Sequence, residues 1–262
     1  MVHQPVLTSI HQKKIGVITL NRPEVYNALN DAMIIALSEA IDAFLDNSAI
    51  NLILLNANGK HFSSGADLNW MKSSVNLSFD DNKQDALQLA HLLQRLYNCS
   101  KPLVVAVQGN AFGGALGLIA CGDVVLSTQE SQFCFSEVKL GLAPAVISPF
   151  VIHAIGQRLA NYYFLTAESF NGDDAKMCGL IHHVTPAAEL TQHAMQLCER
   201  LIKLGPSALK ASKQLVREVA PMAGDTLEYT VNLIATLRTS PEGQEGLAAF
   251  LEKRKPKWIT DE

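Results

Sequence analysis

Twice in this chain an apolar run breaks off into a glycine turn that opens directly into a helical pattern. The two stretches are "INLILLNANGKHFSSGADL" at 50–68 and "PLVVAVQGNAFGGALGLIACGD" at 102–123. A short, continuous apolar run bounded by turn residues reads as a strand buried on both faces. Buried strands alternating with helices point to a layered α/β arrangement. "DVVLST" and the short strand and turn in "SQFCFSEVKLGLAP" extend the series, without detectable identity between units. Ahead of it, "VLTSI" and "KKIGVITL" alternate as a β-hairpin.

Helical periodicity fills the intervals. Asn30 or Asp31 caps a helix running to about Asn47, with Met33, Ile34, Leu37, Ile41, Phe44 and Leu45 on one face. A short helix follows at Asp67–Met71, then a polar stretch at 72–82 that reads as a mobile surface loop, then an amphipathic helix in "KQDALQLAHLLQRLY". From about Ala187 the strand patterns stop, and helical patterns at 187–204, 206–219, 223–238 and 242–253 complete the chain. The organisation expected is a β-rich core domain at 1–195 and a helical C-terminal subdomain at 196–262.

Composition narrows the function. Of 262 residues, 48% are hydrophobic and 18% charged, so a buried core is affordable, and the net charge of −4 offers no basic field for nucleic acid or an anionic membrane. The N-terminal "MVHQPVLTSIHQKK" has no signal-peptide pattern and no apolar run reaches membrane-spanning length, so a cytoplasmic protein is expected. The five cysteines, at 99, 121, 134, 178 and 198, include no CxxC and read as reduced, buried small hydrophobes. The histidines show no metal-binding spacing, and no metal is expected.

The glycine turns carry the chemistry. The first amides of a helix lack partners within it, and glycine lets a ligand atom approach them with no Cβ in the way. "SSGADL" and "AFGGAL" together are able to set two N–H groups around one oxygen, which is an oxyanion hole. Phosphate binding is the rival use of such a turn, but "GNAFGGALG" matches neither GxGxxG nor GxxxxGK[ST]. No GxSxG surrounds the serine pair at 63–64, which argues against a serine hydrolase.

"HFSSGADL", "QGNAFGGALGLIACGD" and "SQFCFSEVKLGLAPAVISPF", with "NRPEVYNAL" and the terminal "EGQEGLAAFLEKRKPKW", resemble in order and spacing the crotonase superfamily of enoyl-CoA hydratases and isomerases. The likeness spans essentially the whole chain. "SEVKLGLAPAVISPF" brings it nearest the methylglutaconyl-CoA hydratase-like branch. The resemblance implies a spiral of ββα turns closed by C-terminal helices and assembled as a homotrimer or homohexamer. It implies oxyanion donors at the amides of Ala66 and Gly114, aimed at the thioester oxygen of an acyl-CoA. Val25, Ala66 and Leu68 would follow the coenzyme A arm, with Lys253 near its phosphates. No cofactor is expected beyond the coenzyme A that carries the substrate.

Hydratases of this family commonly carry two glutamates about one water. One falls on Glu137; the other falls at position 117, where this chain has glycine. Gly117 either makes room for a branched acyl group or serves close helix packing. Glu137 alone is able to activate water at the β-carbon and return a proton to the α-carbon, or to carry a proton between the α- and γ-carbons. The function expected is therefore hydration of an α,β-unsaturated acyl-CoA, straight or branched as in the methylglutaconyl type, with double-bond isomerisation or acyl-CoA decarboxylation as alternatives. A non-catalytic acyl-CoA-binding module is the alternative of a different class. The wall at 144–151 is expected to be apolar, Tyr26, Trp70 and Met71 are candidate lining, and Lys72, Lys139 or Arg158 would meet a distal carboxylate.

Overall fold

The computed structural model describes residues 4–74, 77–220 and 226–259. β1 (Val6–His11) and β2 (Ile15–Leu20) form an antiparallel hairpin with Val6 opposite Leu20. The Asn30 side chain accepts the Met33 amide at 3.0 Å and so caps α1 (Asp31–Asp46). β3 (Leu52–Ala57), α2 (Leu68–Ser74) and α3 (Phe79–Asn98) follow. Most of the stretch 72–82 is therefore helical rather than loop, with Val75 and Asn76 outside the described residues. Its polarity is that of a helix start: Ser78 accepts the Asp81 amide, and Asp80 and Asp81 occupy the first turn of α3, where the helix dipole favours acids.

β4 (Leu103–Val107), β5 (Asn110–Phe112), α4 (Gly114–Ala120), β6 (Val124–Thr128) and β7 (Gln132–Cys134) carry the middle of the chain. A single 3-10 turn at Glu137–Leu140 leads to α5 (Ser148–Thr166), α6 (Gly172–Met177) and β8 (His183–Thr185). Four helices end the chain: α7 (Leu190–Leu201), α8 (Pro206–Val219), α9 (Thr226–Thr239) and α10 (Pro241–Leu251). Positions 223–225, the start of the third C-terminal pattern, lie outside the described residues.

The large sheet has the order β1-β2-β3-β4-β6-β8, parallel from β2 onward, and β5 pairs with β7 in a small parallel sheet. Two passes of the chain, β4-β5-α4 and β6-β7-α5, thus lay one strand in the large sheet, one in the small sheet, and then a helix. This is the spiral of ββα turns in an α/β fold. Alternate residues of the large sheet face two different layers. Ile53, Leu55, Val105 and Val107 join α1, α3 and α4 in the main core, while Leu52, Leu54, Val104 and Ala106 pack under Leu190, Ala194 and Cys198 of α7. That double burial explains why these strands are apolar throughout.

α7 straddles the expected boundary at 195/196, yet it covers one whole face of the sheet. The core layer therefore runs to Leu201. Beyond it, α9 packs on α3, and α10 packs on α9 and on the 137–140 turn. All five cysteines are buried and free. No helix among the described residues is long and apolar enough to cross a membrane.

Candidate active site

β3 and β4 are parallel neighbours, so the segments leaving them emerge at the same end of the sheet. Past β3 the chain reaches Ser63, which continues the small sheet alongside β5. The Ser63 amide donates to Asn110 O at 3.2 Å, and the Phe112 amide donates to Ser63 O at 3.1 Å. The turns that follow, 64–67 and 113–114, are consequently side by side. Gly65 has φ +88°, and a Cβ there would lie 2.8 Å from Phe112 O, so only glycine permits this approach.

Within the first turn nearly every amide is engaged. Ser64 donates to Tyr26 O at 2.9 Å, Gly65 to Ser63 Oγ at 3.2 Å, and Asp67 to Leu29 O at 2.9 Å. The Ala66 N–H between them has no acceptor among the described residues. Asp67 clamps the turn: its carboxylate accepts from the Asn69 amide at 2.8 Å and from Arg22 Nη2 at 2.9 Å. Burial pushes the Asp67 carboxyl up, but these bonds outweigh it and hold the group below the usual carboxylate range. In the second turn Phe112 and Gly113 spend their amides on Ser63 O and Cys134 O, and the Gly114 N–H is left without an acceptor among the described residues.

β7 lies parallel to β5, with Cys134 opposite Phe112, and the 3-10 turn after it delivers Glu137 to the same place. A Cβ on Gly113 would stand 3.4 Å from Glu137 Oε1. The residue as a whole is half-buried, but Oε2 is closed off from solvent and accepts no hydrogen bond from the described residues. Burial raises the carboxyl to about 7, with only a partial offset from its own backbone amide. An unsatisfied, raised carboxyl beside two unspent amides is unusual in a folded core and is characteristic of catalytic sites.

These groups border one cavity of about 560 Å³. The structure brings Ala66, Leu68, Gly114 and Glu137 together on its walls, with Tyr26, Trp70 and Met71. Of the apolar segment at 144–151, Pro144–Ile147 line it. Val25 and Lys253 do not; their neighbours Tyr26 and Arg254 do. Of the three cations considered for a distal carboxylate, only Lys139 borders the cavity. α9 and α10 of the same chain close it, contributing Ile234, Arg238, Leu247 and Phe250. These four escaped the sequence reading because a helical period shows that a face is apolar, not which surface it covers.

Gly117 is absent from the cavity wall. A Cβ there would meet Ile147 Cγ2 at 2.7 Å and Leu93 Cδ1 at 2.9 Å. The glycine serves close packing, and it makes no room for a branched acyl group. The volume a second carboxylate would need is filled by Ile147 and Leu93.

The family model described as "Enoyl-CoA hydratase/isomerase" matches residues 11–261. The chain is 33% identical to the 2,3-dehydroadipyl-CoA hydratase of Escherichia coli, over 94% of this chain and 95% of that protein. It is also 33% identical to the mitochondrial enoyl-CoA hydratase of Pongo abelii, over 92% and 82% of the two chains. Among solved structures, an enoyl-CoA hydratase from Shewanella pealeana is 40% identical and superposes with a TM-score of 0.81, covering 98% of this chain and 97% of that one.

Proposed function

Given that the chain belongs to the enoyl-CoA hydratase/isomerase family, we propose that its cavity binds an α,β-unsaturated acyl-CoA and that Glu137 adds water across the double bond. The thioester oxygen sits between the amides of Ala66 and Gly114. Their pull on the carbonyl makes the β-carbon electrophilic, and they stabilise the enolate oxygen as charge develops there. The Glu137 carboxylate takes a proton from water as the water oxygen bonds to the β-carbon, and the π electrons move to the thioester oxygen. The protonated Glu137 then gives that proton to the α-carbon from the same face, which restores the carboxylate and the carbonyl.

The observation that carries this reading is the buried Glu137 Oε2 with no partner, on the wall that also presents the Ala66 and Gly114 amides. Ala66 and Leu68 line the path proposed for the coenzyme A arm. Val25 and Lys253, each next in sequence to a lining residue, are proposed to meet coenzyme A outside the cavity. A branched, methylglutaconyl-like acyl group has the apolar Pro144–Ile147 wall as its support and gains no space at Gly117. Assembly as a homotrimer or homohexamer is proposed on the exposed apolar faces of α5 and α8.

Double-bond isomerisation is favoured by one specific observation: the volume for a second carboxylate is filled, and proton transfer between α- and γ-carbons needs only one. Incubation with crotonyl-CoA and with a 3-enoyl-CoA, with products resolved by chromatography, tests both readings. A 3-hydroxyacyl-CoA from crotonyl-CoA supports hydration; conversion of the 3-enoyl to the 2-enoyl thioester without hydration supports the isomerase. In either case Glu137→Gln is expected to lower the rate by about 10²–10⁴-fold. An undiminished rate in that variant removes Glu137 from the mechanism.

A further inference from the structure

Arg238 of α9 borders the cavity, and its side chain is only 17% exposed. It is held from behind. Nη1 donates to Asp85 Oδ2 at 2.6 Å, and the other oxygen of Asp85 accepts from Trp70 Nε1 at 2.7 Å. The guanidinium also lies over the Trp70 ring, 5.6 Å from its centroid. Two contacts thus hold the guanidinium, and Trp70 in turn holds Asp85, while no described residue accepts from Nε or Nη2. An arginine so held, bordering a cavity with two donor nitrogens free of acceptors among the described residues, suits the two-oxygen geometry of a carboxylate.

The other cations on the wall are placed differently. Arg254 is spent on Glu245 and Glu252. Lys139 is exposed, and its Nζ donates to Cys134 Sγ at 3.8 Å rather than to a carboxylate.

Asp85 lies one turn before Leu89 on α3, and Leu89 stands 3.5 Å from the position of a Cβ on Gly114, so Arg238 is anchored to a helix that also packs on the second glycine turn.

From this geometry we infer that Arg238 selects acyl groups ending in a carboxylate, so that the substrate is the mono-CoA thioester of a dicarboxylic acid. Asp85 and Trp70 act as positioning residues for it. The inference rests on the thioester lying at Ala66 and Gly114, and it names the substrate class of that site.

Calorimetric titration with adipyl-CoA and with hexanoyl-CoA isolates the carboxylate, because both are saturated and neither is turned over. The protein is expected to bind adipyl-CoA about 10- to 100-fold more tightly, the scale of a charge-assisted hydrogen-bonded contact. In the double variant Arg238→Met/Asp85→Asn, which leaves no buried carboxylate unpaired, the preference should vanish while hexanoyl-CoA affinity stays within about threefold. Arg238→Lys, which keeps the charge and loses the fork, should retain a reduced preference. Equal affinities in the unaltered protein, or a preference that survives the double variant, overturn the inference. Failure to hydrate or isomerise the 2-enoyl thioester of adipic acid, with the adipyl preference intact, instead overturns the proposed reaction and leaves the carboxylate site standing.

Discussion

Glu137 is held by burial at about 7, against 4.5 for the group in solution, and that difference acts on both rate and stability. Its base form is the one that accepts a proton from water. The rate kcat/KM should therefore rise about tenfold per pH unit below about 7 and level off above it. A flat profile from pH 5 to 8 contradicts the base role. For stability the sign runs the other way. The native protein holds a proton that the unfolded chain releases between pH 4.5 and about 7, so the fold loses stability as pH rises through that window. The loss amounts to about 3 kcal/mol at most. Glu137→Gln cannot ionise. In urea titrations its stability relative to the unaltered protein should grow from pH 4.5 to 7 and then stay constant, and a pH-independent difference refutes the assignment. Part of this was legible at the level of residues: the resemblance carried by "QFCFSE", "GLAP" and the two glycine turns implied Glu137, Ala66 and Gly114, and the structure brings all three to one cavity. Arg238 was not legible, because its partner Asp85 lies 153 residues away and nothing local in "TLRTS" distinguishes it from a solvated arginine.

α4 shows how packing overrides local propensity. Replacing a mid-helix glycine by alanine ordinarily stabilises a helix by about 1 kcal/mol. At Gly117 the added methyl would sit 2.7 Å from Ile147 and 2.9 Å from Leu93, both fixed in the core around α4. Overpacking of that kind costs about 1–3 kcal/mol and exceeds the propensity gain. Gly117→Ala should therefore lower the thermal midpoint, as calorimetry would show, and Gly117→Glu should lower it further without adding a second catalytic carboxylate. A raised midpoint in the alanine variant means that the helices are free to move apart. The elements themselves were readable wherever one face is buried against one layer, as in α1, where Met33, Ile34, Leu37, Ile41 and Phe44 keep helical spacing. α5 was not, for two physical reasons. Gly156 breaks its dihedrals midway, and Ile152, Leu159, Tyr162 and Leu165 leave its apolar residues on the exposed side as well as the buried one.

At the scale of the molecule, six of the eight described strands were readable from sequence, the short β5 and β8 were not, and the strand order was not readable at all. That order depends on long-range parallel pairing, and no local pattern encodes it. Nor does a helical period show which way a helix faces, and α8 makes the point. Its polar side turns inward: Lys213 bonds to Asp123 and to Lys101 O, while Arg217 donates to Cys99 O and lies over the Tyr97 ring. Leu215, Val216 and Val219 fall on the opposite side, at 62%, 61% and 75% exposed, and no residue of α8 is fully buried. A helix that spends its charges on its own chain and offers its apolar side to water is arranged for a partner chain. The proposed homotrimer or homohexamer predicts a solution mass three or six times the 28.5 kDa of one chain. Leu215→Glu/Val219→Glu would place two carboxylates in an apolar contact and should reduce the mass measured by light scattering toward that of one chain. Because both positions are exposed in the single chain, circular dichroism of the variant should remain unchanged. A monomeric unaltered protein, or an assembly indifferent to these two charges, rules out α8 as the contact.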